Sequence, residues 1–182
     1  MYCPVCPSSP LIPKKLEENL SAQTCLNCQG DWIKAEDYWA WLEAHGNPSE
    51  QIASDAPLPI EAEANARLCP EDGRFLRRFQ IFPNAPFYLE RCSACLGVWF
   101  DANEWHALKQ RELHDEVHLL FGKLWQEALL AHESRNRFEK MYLERYGAED
   151  YGRVQEIRLW LDQHPKGTAL LAYLTDRDPY RR

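Results

Sequence analysis

The sequence predicts a small α+β fold: two metal-knuckle modules, each followed by a helix, and an α-helical C-terminal region. Three observations predict it. The pattern Cys-x2-Cys-x-Gly-x-Trp occurs twice, from Cys25 to Trp32 and from Cys92 to Trp99, at a constant offset of 67 residues. Each copy is preceded at long range by a Cys-Pro corner, Cys3-Pro4 and Cys69-Pro70. After each tryptophan the apolar spacing changes to a helical period. The chain accordingly divides into a first module over 1–46, an acidic Pro/Ala-rich linker over 47–66, a second module over 67–110 and a helical region over 111–182.

The totals agree with metal rather than disulfide chemistry. Modules of this size need a metal or cross-links to hold a fold. All seven cysteines of the 182 residues lie in two clusters instead of a spread framework. No leader peptide is expected, because Cys3 falls where a basic leader would stand, and no stretch reaches the length of a membrane span. The expected location is a reducing compartment, the cytoplasm or one resembling a plastid stroma. A net charge of −7 argues against a general nucleic-acid role, which needs a basic surface. Seven tryptophans and eight tyrosines supply material for cores and for protein interfaces.

In the first module, Cys3, Cys6, Cys25 and Cys28 give four thiolates, the usual tetrahedral zinc set; iron in a rubredoxin-like site is the alternative ion. Gly30 is expected to turn the chain after the second pair, and Trp32 to cover the knuckle. Tyr38, Trp39, Trp41 and Leu42 form an apolar helical stripe, with Glu36 and Asp37 in the first turn and Gly46-Asn47-Pro48 as the stop. In the linker, Pro57 and Pro59 forbid a continuous helix.

In the second module Asp72 stands where the first has Cys6. A carboxylate also ligates zinc, so Cys69, Asp72, Cys92 and Cys95 form a Cys3Asp set, with His106 as a rival fourth ligand and an open fourth position or an empty site as the remaining alternatives. Arg74 to Phe79 and Phe87 to Arg91, around Pro83-Asn84-Ala85-Pro86, read as a short antiparallel hairpin. Its Arg74, Arg77, Arg78 and Arg91 are the densest basic group of the chain and, with Phe75, Phe79 and Tyr88, could pair and stack on a single nucleic-acid strand. Asp101 and Glu104 fit a capping box better than a catalytic pair.

Both copies resemble the transcription-factor-IIB-type zinc-finger family of small prokaryotic and plastid proteins. Its pattern is Cys-Pro-x-Cys or Cys-Pro-x-Asp, then Cys-x2-Cys-x-Gly-x-Trp-Leu-Asp and Glu-Leu. The first copy carries it on Cys3, Cys6, Cys25, Cys28, Gly30 and Trp32. The second carries it on Cys69, Asp72, Cys92, Cys95, Gly97, Trp99, Asp101 and Glu104. Lys34 and Asp37 replace the acidic positions of the first copy, and Phe100 stands where leucine is usual in the second. The resemblance covers about half of the chain. It implies zinc and a zinc-ribbon or rubredoxin-like knuckle, and it carries little about activity.

The remainder reads as helix. From Asp101 the helix either runs long or breaks and restarts; Leu108, Leu113, Val117, Leu120, Phe121, Leu124, Leu129 and Leu130 give an apolar face, weakened at Gly122. A segment ending at Gly147, another over 150–163 with Val154, Ile157, Trp160 and Leu161 inward and closed by His164-Pro165-Lys166-Gly167, and a short last helix around Leu170 to Leu174 follow. His114 and His118, four apart, would share a helical face. No glycine-rich phosphate loop, zincin His-Glu-x2-His order or nucleophile with a base partner occurs, so no enzyme is expected and no catalytic residue is assigned. The function expected is a zinc-binding structural protein, with two ions, that mediates protein–protein interaction or complex assembly. The alternative is a nucleic-acid-binding or transcription-associated zinc-ribbon protein using the Arg74, Arg77, Arg78 and Arg91 hairpin.

Overall fold

The computed structural model describes residues 1–45, 65–83, 85 and 87–181. The expected linker, apart from its last two positions, and the Gly46-Asn47-Pro48 stop lie outside these residues. The chain divides into two units, Met1–His132 and Glu133–Arg182.

The first unit is built on one six-stranded antiparallel sheet that contains both knuckles. Its strands are β1 (Leu11–Glu17), β2 (Leu20–Cys25), β3 (Asp31–Ile33), β4 (Arg77–Gln80), β5 (Tyr88–Arg91) and β6 (Val98–Phe100). Their order is β1-β2-β3-β6-β5-β4, so the two copies meet edge to edge and read alike from either side. The β1–β2 hairpin was not expected from the sequence. Along β2, Leu20, Ala22 and Thr24 are buried while Ser21 is exposed, the alternation of a one-faced strand. Asn19, at φ 66°, closes its tight turn, a conformation asparagine tolerates. The β4–β5 hairpin has the expected form, pairing Arg77 with Arg91, Arg78 with Glu90 and Phe79 with Leu89.

The two copies join at the register Asp31 opposite Phe100, Trp32 opposite Trp99 and Ile33 opposite Val98. A local two-fold relation therefore passes through the tryptophan pair. Directly opposed residues share a face of the sheet, and both indoles are fully buried on the face that also carries Cys3, Cys25, Cys69 and Cys92.

The other face packs under helices α1 (Ala35–His45), α2 (Glu104–Gln110) and α3 (Val117–Leu120). Its core holds Ile33, Tyr38, Trp41, Val98, Phe100, Trp105, Leu108, Val117 and Leu120. Trp41 and Trp105 meet edge to face at 5.7 Å. The Tyr38 hydroxyl donates to the Asp115 carbonyl at 2.8 Å, and the Trp105 indole N–H to Glu17 at 2.9 Å. Such polar ends need partners when the ring is buried. Within the expected stripe of α1, Tyr38 and Trp41 are buried, whereas Trp39 is 44% exposed.

The long apolar face expected after Asp101 is broken by a loop between α2 and α3, where Glu112 has φ 55°. Helix α2 begins at Glu104, with Asn103 in left-handed conformation before it and no side-chain cap. Half of the expected capping box forms: Glu104 Oε2 accepts the Asp101 N–H at 2.7 Å. The Asp101 carboxylate does not cap; it accepts from the Trp99 indole at 2.9 Å and pairs with Arg67 at 2.9 Å.

Helix α4 (Lys123–Gln163) enters the first unit through Trp125, whose indole N–H donates to the Ile81 carbonyl at 3.1 Å, and through buried Leu129. Gly147, at φ 78° and ψ 159°, interrupts it at the expected stop. In the second unit the rest of α4 and α5 (Gly167–Thr175) bury no described residue. Val154, Ile157 and Trp160 are therefore not inward as expected but 60%, 48% and 53% exposed. No described helix is long and apolar enough to cross a membrane.

Candidate metal centres

Each Cys-Pro corner comes back to its own Cys-x2-Cys turn. In the first cluster, Cys3, Cys6, Cys25 and Cys28 bring their sulfurs within 4.8 Å of one another; in the second, Cys69, Asp72, Cys92 and Cys95 do the same with three sulfurs and a carboxylate oxygen. The corners are fixed by matching backbone bonds. Cys3 N–H donates to Ser9 at 2.9 Å and Cys69 N–H to Arg74 at 2.7 Å, while Cys25 and Cys92 N–H donate to Gly30 and Gly97 at 3.0 and 2.9 Å.

The donor sets fit a tetrahedral ion. A Zn–S bond of about 2.3 Å requires sulfurs about 3.8 Å apart. Cys3 and Cys28 stand at 3.5 Å, Cys69 and Cys95 at 3.6 Å. These are too long for a disulfide, and all seven cysteines are free. Backbone N–H groups aim at the innermost sulfurs: Val5 and Cys6 at Cys3 Sγ, 3.3 and 3.2 Å, Glu71 at Cys69 Sγ, 3.4 Å, and Ala94 at Cys92 Sγ, 3.4 Å.

Burial pushes the Cys3 thiol up to about 11 and those of Cys28 and Cys95 well above the ordinary range. At Cys25 burial acts the same way, but the N–H groups of Cys28 and Asn27 outweigh it and bring the thiol down to about 7. Thiols that are costly to ionise alone become thiolates when a cation takes the place of the proton. Asp72 differs in kind. It is exposed, the Arg74 N–H holds its carboxyl below the usual range, and its Oδ2 lies 3.2 Å from Cys92 Sγ. The rival ligand His106 is not brought to this cluster; it is exposed, beside Gln110 at 3.1 Å. His114 lies in the loop before α3, so it shares no helical face with His118.

The glycine of the motif has a different task from the one its sequence position implied. Neither Gly30 nor Gly97 has positive φ; the left-handed residues of the two turns are Gln29, φ 57°, and Leu96, φ 62°. A Cβ on Gly30 would sit 2.2 Å from Cζ2 of Trp99, and one on Gly97 would sit 2.3 Å from Cζ2 of Trp32. Each indole thus packs on the knuckle glycine of the opposite copy.

Two further features escaped the sequence reading. Arg67 is buried and joins Glu90 at 3.0 Å and Asp101 at 2.9 Å. Glu104 is buried beside them; burial and the neighbouring Asp101 raise its carboxyl well above the usual range. Glu71, next to the Cys69 corner, accepts the Trp32 indole N–H at 3.4 Å. The basic hairpin, in turn, is divided between the two faces of the sheet. Arg77 and Arg91 are cross-strand partners, whereas Arg78 pairs with Glu90 at 3.6 Å and lies 4.0 Å over the Tyr88 ring.

Comparison with known proteins found no matching family model, no matching curated protein and no matching solved structure. What the chain has in hand is two clusters suited to metal ligation in a small mixed α/β fold with a helical C-terminal stretch.

Proposed function

We infer that the chain is a structural zinc protein of the transcription-factor-IIB-type zinc-finger kind, whose helices mediate protein–protein interaction or complex assembly. Cys3, Cys6, Cys25 and Cys28 hold one zinc, and Cys69, Asp72, Cys92 and Cys95 the second. Four protein ligands per ion make a closed site, which suits structure and leaves no position for a substrate; the reading is accordingly of a non-enzyme. Seven free thiols suit a reducing compartment, cytoplasmic or stroma-like.

The observation that carries the partner is the second unit. It buries none of its described residues, yet Phe138, Tyr142 and Tyr146 stack along one helix face at 6.5 and 6.1 Å, and Trp160 is half exposed. Apolar faces of this kind mark interaction sites. The nucleic-acid alternative is weakened by Glu90, which engages Arg78.

Tagged, zinc-loaded protein and a Tyr142→Ser/Trp160→Ser variant, each incubated in native extract, test this reading. The expected result is a defined protein recovered with the wild type and lost with the variant, both carrying two zinc per chain. Recovery of salt-sensitive nucleic acid alone, or of nothing, overturns it.

A further inference from the structure

A cleft opens in the first unit between α1, α3 and the ends of β3, β5 and β6. It is shallow: the space it holds is about 30 Å3, room for water but not for a buried side chain, so an occupant would lie across it. Its walls are apolar: Ile33, Tyr38, Val98 and Phe100 among them. Trp39 and Leu96 flank it, 44% and 43% exposed.

The charge inside runs against the chain. Lys34, Arg91 and His118 line the cleft and no carboxylate does, although the protein carries a net −7. Lys34 is shared with Glu36 and Glu71 at 3.5 and 3.8 Å, and His118 Nδ1 lies 3.4 Å from the Tyr38 hydroxyl. Arg91 is half-buried and rests 5.0 Å over the Phe121 ring, with no carboxylate partner among the described residues. Its cross-strand neighbour Arg77 adds a second guanidinium on the same face, likewise without one.

The first copy shows what is missing. Arg91 and Val98 of the second copy correspond to Thr24 and Asp31 of the first. There Asp31 is buried and supplies the anion itself, accepting from Thr24 and pairing with Lys14 at 3.3 Å. In the second copy valine replaces that acid and an arginine takes the facing position. Leu96 points the same way. The matching turn residue of the first copy is Gln29, left-handed like Leu96; in the second copy an apolar, 43% exposed leucine takes that place at the mouth.

We propose that this face binds an acidic segment of the partner protein, an apolar side chain lying across the exposed Trp39 and Leu96 and a neighbouring carboxylate pairing with Arg91. The proposal rests on the protein-binding reading and gives the partner its chemistry. A guanidinium in a partly desolvated cleft binds a carboxylate through two parallel hydrogen bonds, and an aromatic anchor beside it supplies the apolar contact.

The test uses zinc-loaded, 15N-labelled full-length protein and two capped tripeptides, Asp-Phe-Asp and Asn-Phe-Asn. The acidic peptide is expected to shift the Trp39 indole and Arg91 Nε–H signals and to bind at least about fivefold tighter than its amide twin. Arg91→Gln, with an otherwise unchanged spectrum, abolishes that preference, and Leu96→Ala weakens both peptides. Equal binding of the two peptides, a preference that survives Arg91→Gln, or tighter occupation of the same signals by a deoxythymidine decamer overturns the proposal. A partner recovered from extract that Arg91→Gln still binds also sinks the cleft while leaving the protein-binding reading in place.

Discussion

At Gly30 and Gly97 a side chain is excluded by a ring from the other copy, while the left-handed turn falls to the preceding residues Gln29 and Leu96. Alanine at either position drives a methyl into an indole of a fully packed core. Each substitution is expected to lower stability by about 2 kcal/mol, within the usual cost of overpacking. Leu96→Gly, at the residue that does bend the left-handed way, is expected to be neutral or stabilising by up to about 1 kcal/mol. Denaturant unfolding of the zinc-loaded variants checks both, and a harmless Gly97→Ala would contradict the packing. Glu104 gives a second residue-scale prediction. Its folded carboxyl titrates above its unfolded value of about 4.3. Between those values the folded state holds a proton that the unfolded state has released. Stability is therefore full below the unfolded value and lost as pH rises through the folded one, by about 1.4 kcal/mol per unit of elevation. Glu104→Gln keeps an oxygen for the Asp101 N–H and removes the charge. Its unfolding free energy is expected to decline less steeply than the wild type's as pH rises from 4.5 toward neutrality; parallel curves would contradict the burial argument.

Among the elements, the two knuckles differ by one ligand. A site with three thiolates and an exposed carboxylate should release its metal before a site with four, and with a shallower dependence on pH, since one fewer thiol proton competes with the ion. Cobalt-substituted protein titrated with acid and chelator resolves the two steps by their thiolate charge-transfer bands. Asp72→Cys is expected to merge them, and Cys6→Asp to make the first site as labile as the second. A single step in the wild type would contradict the ligand assignment. The elements were unevenly legible in the sequence. The knuckle spacing, the Arg77–Arg91 hairpin and the stops at Gly147 and His164 to Gly167 could be read because turn and ligand chemistry is local. The β1–β2 hairpin was missed because Pro13, Lys14 and Lys15 interrupt the alternation that would mark a strand. Whether the helix after Asp101 ran on or broke stayed open, because Leu108 and Leu113 extend an apolar pattern across a loop closed by Glu112.

On the scale of the whole molecule, the two copies form one sheet about a local two-fold, so metal at one site is expected to support the fold of the other. Removal of both ions is expected to unfold the whole first unit cooperatively, seen as loss of near-ultraviolet signal from Trp32 and Trp99 together. Stepwise loss of the two halves would contradict a shared sheet. This level was the least legible beforehand. The offset of 67 residues announces a repeat but not how its copies meet. That depends on the pairing of Trp32 with Trp99, a contact between distant residues that no local pattern encodes. The buried Arg67, Glu90 and Asp101 group was hidden for the same reason. Val154, Ile157 and Trp160 read as inward because an apolar helical stripe looks the same whether it covers a core or awaits a partner.

The central claim is two zinc ions per chain, one held by four thiolates and one by three thiolates and Asp72. X-ray absorption at the zinc edge, on protein whose metal content is measured in the same sample, tests it most directly. The account predicts two zinc per chain, with an average shell of about 3.5 sulfurs at about 2.3 Å and about 0.5 oxygen near 2.0 Å, moving to four sulfurs in Asp72→Cys. One zinc per chain with a pure sulfur shell, or a shell unchanged by Asp72→Cys, would contradict it.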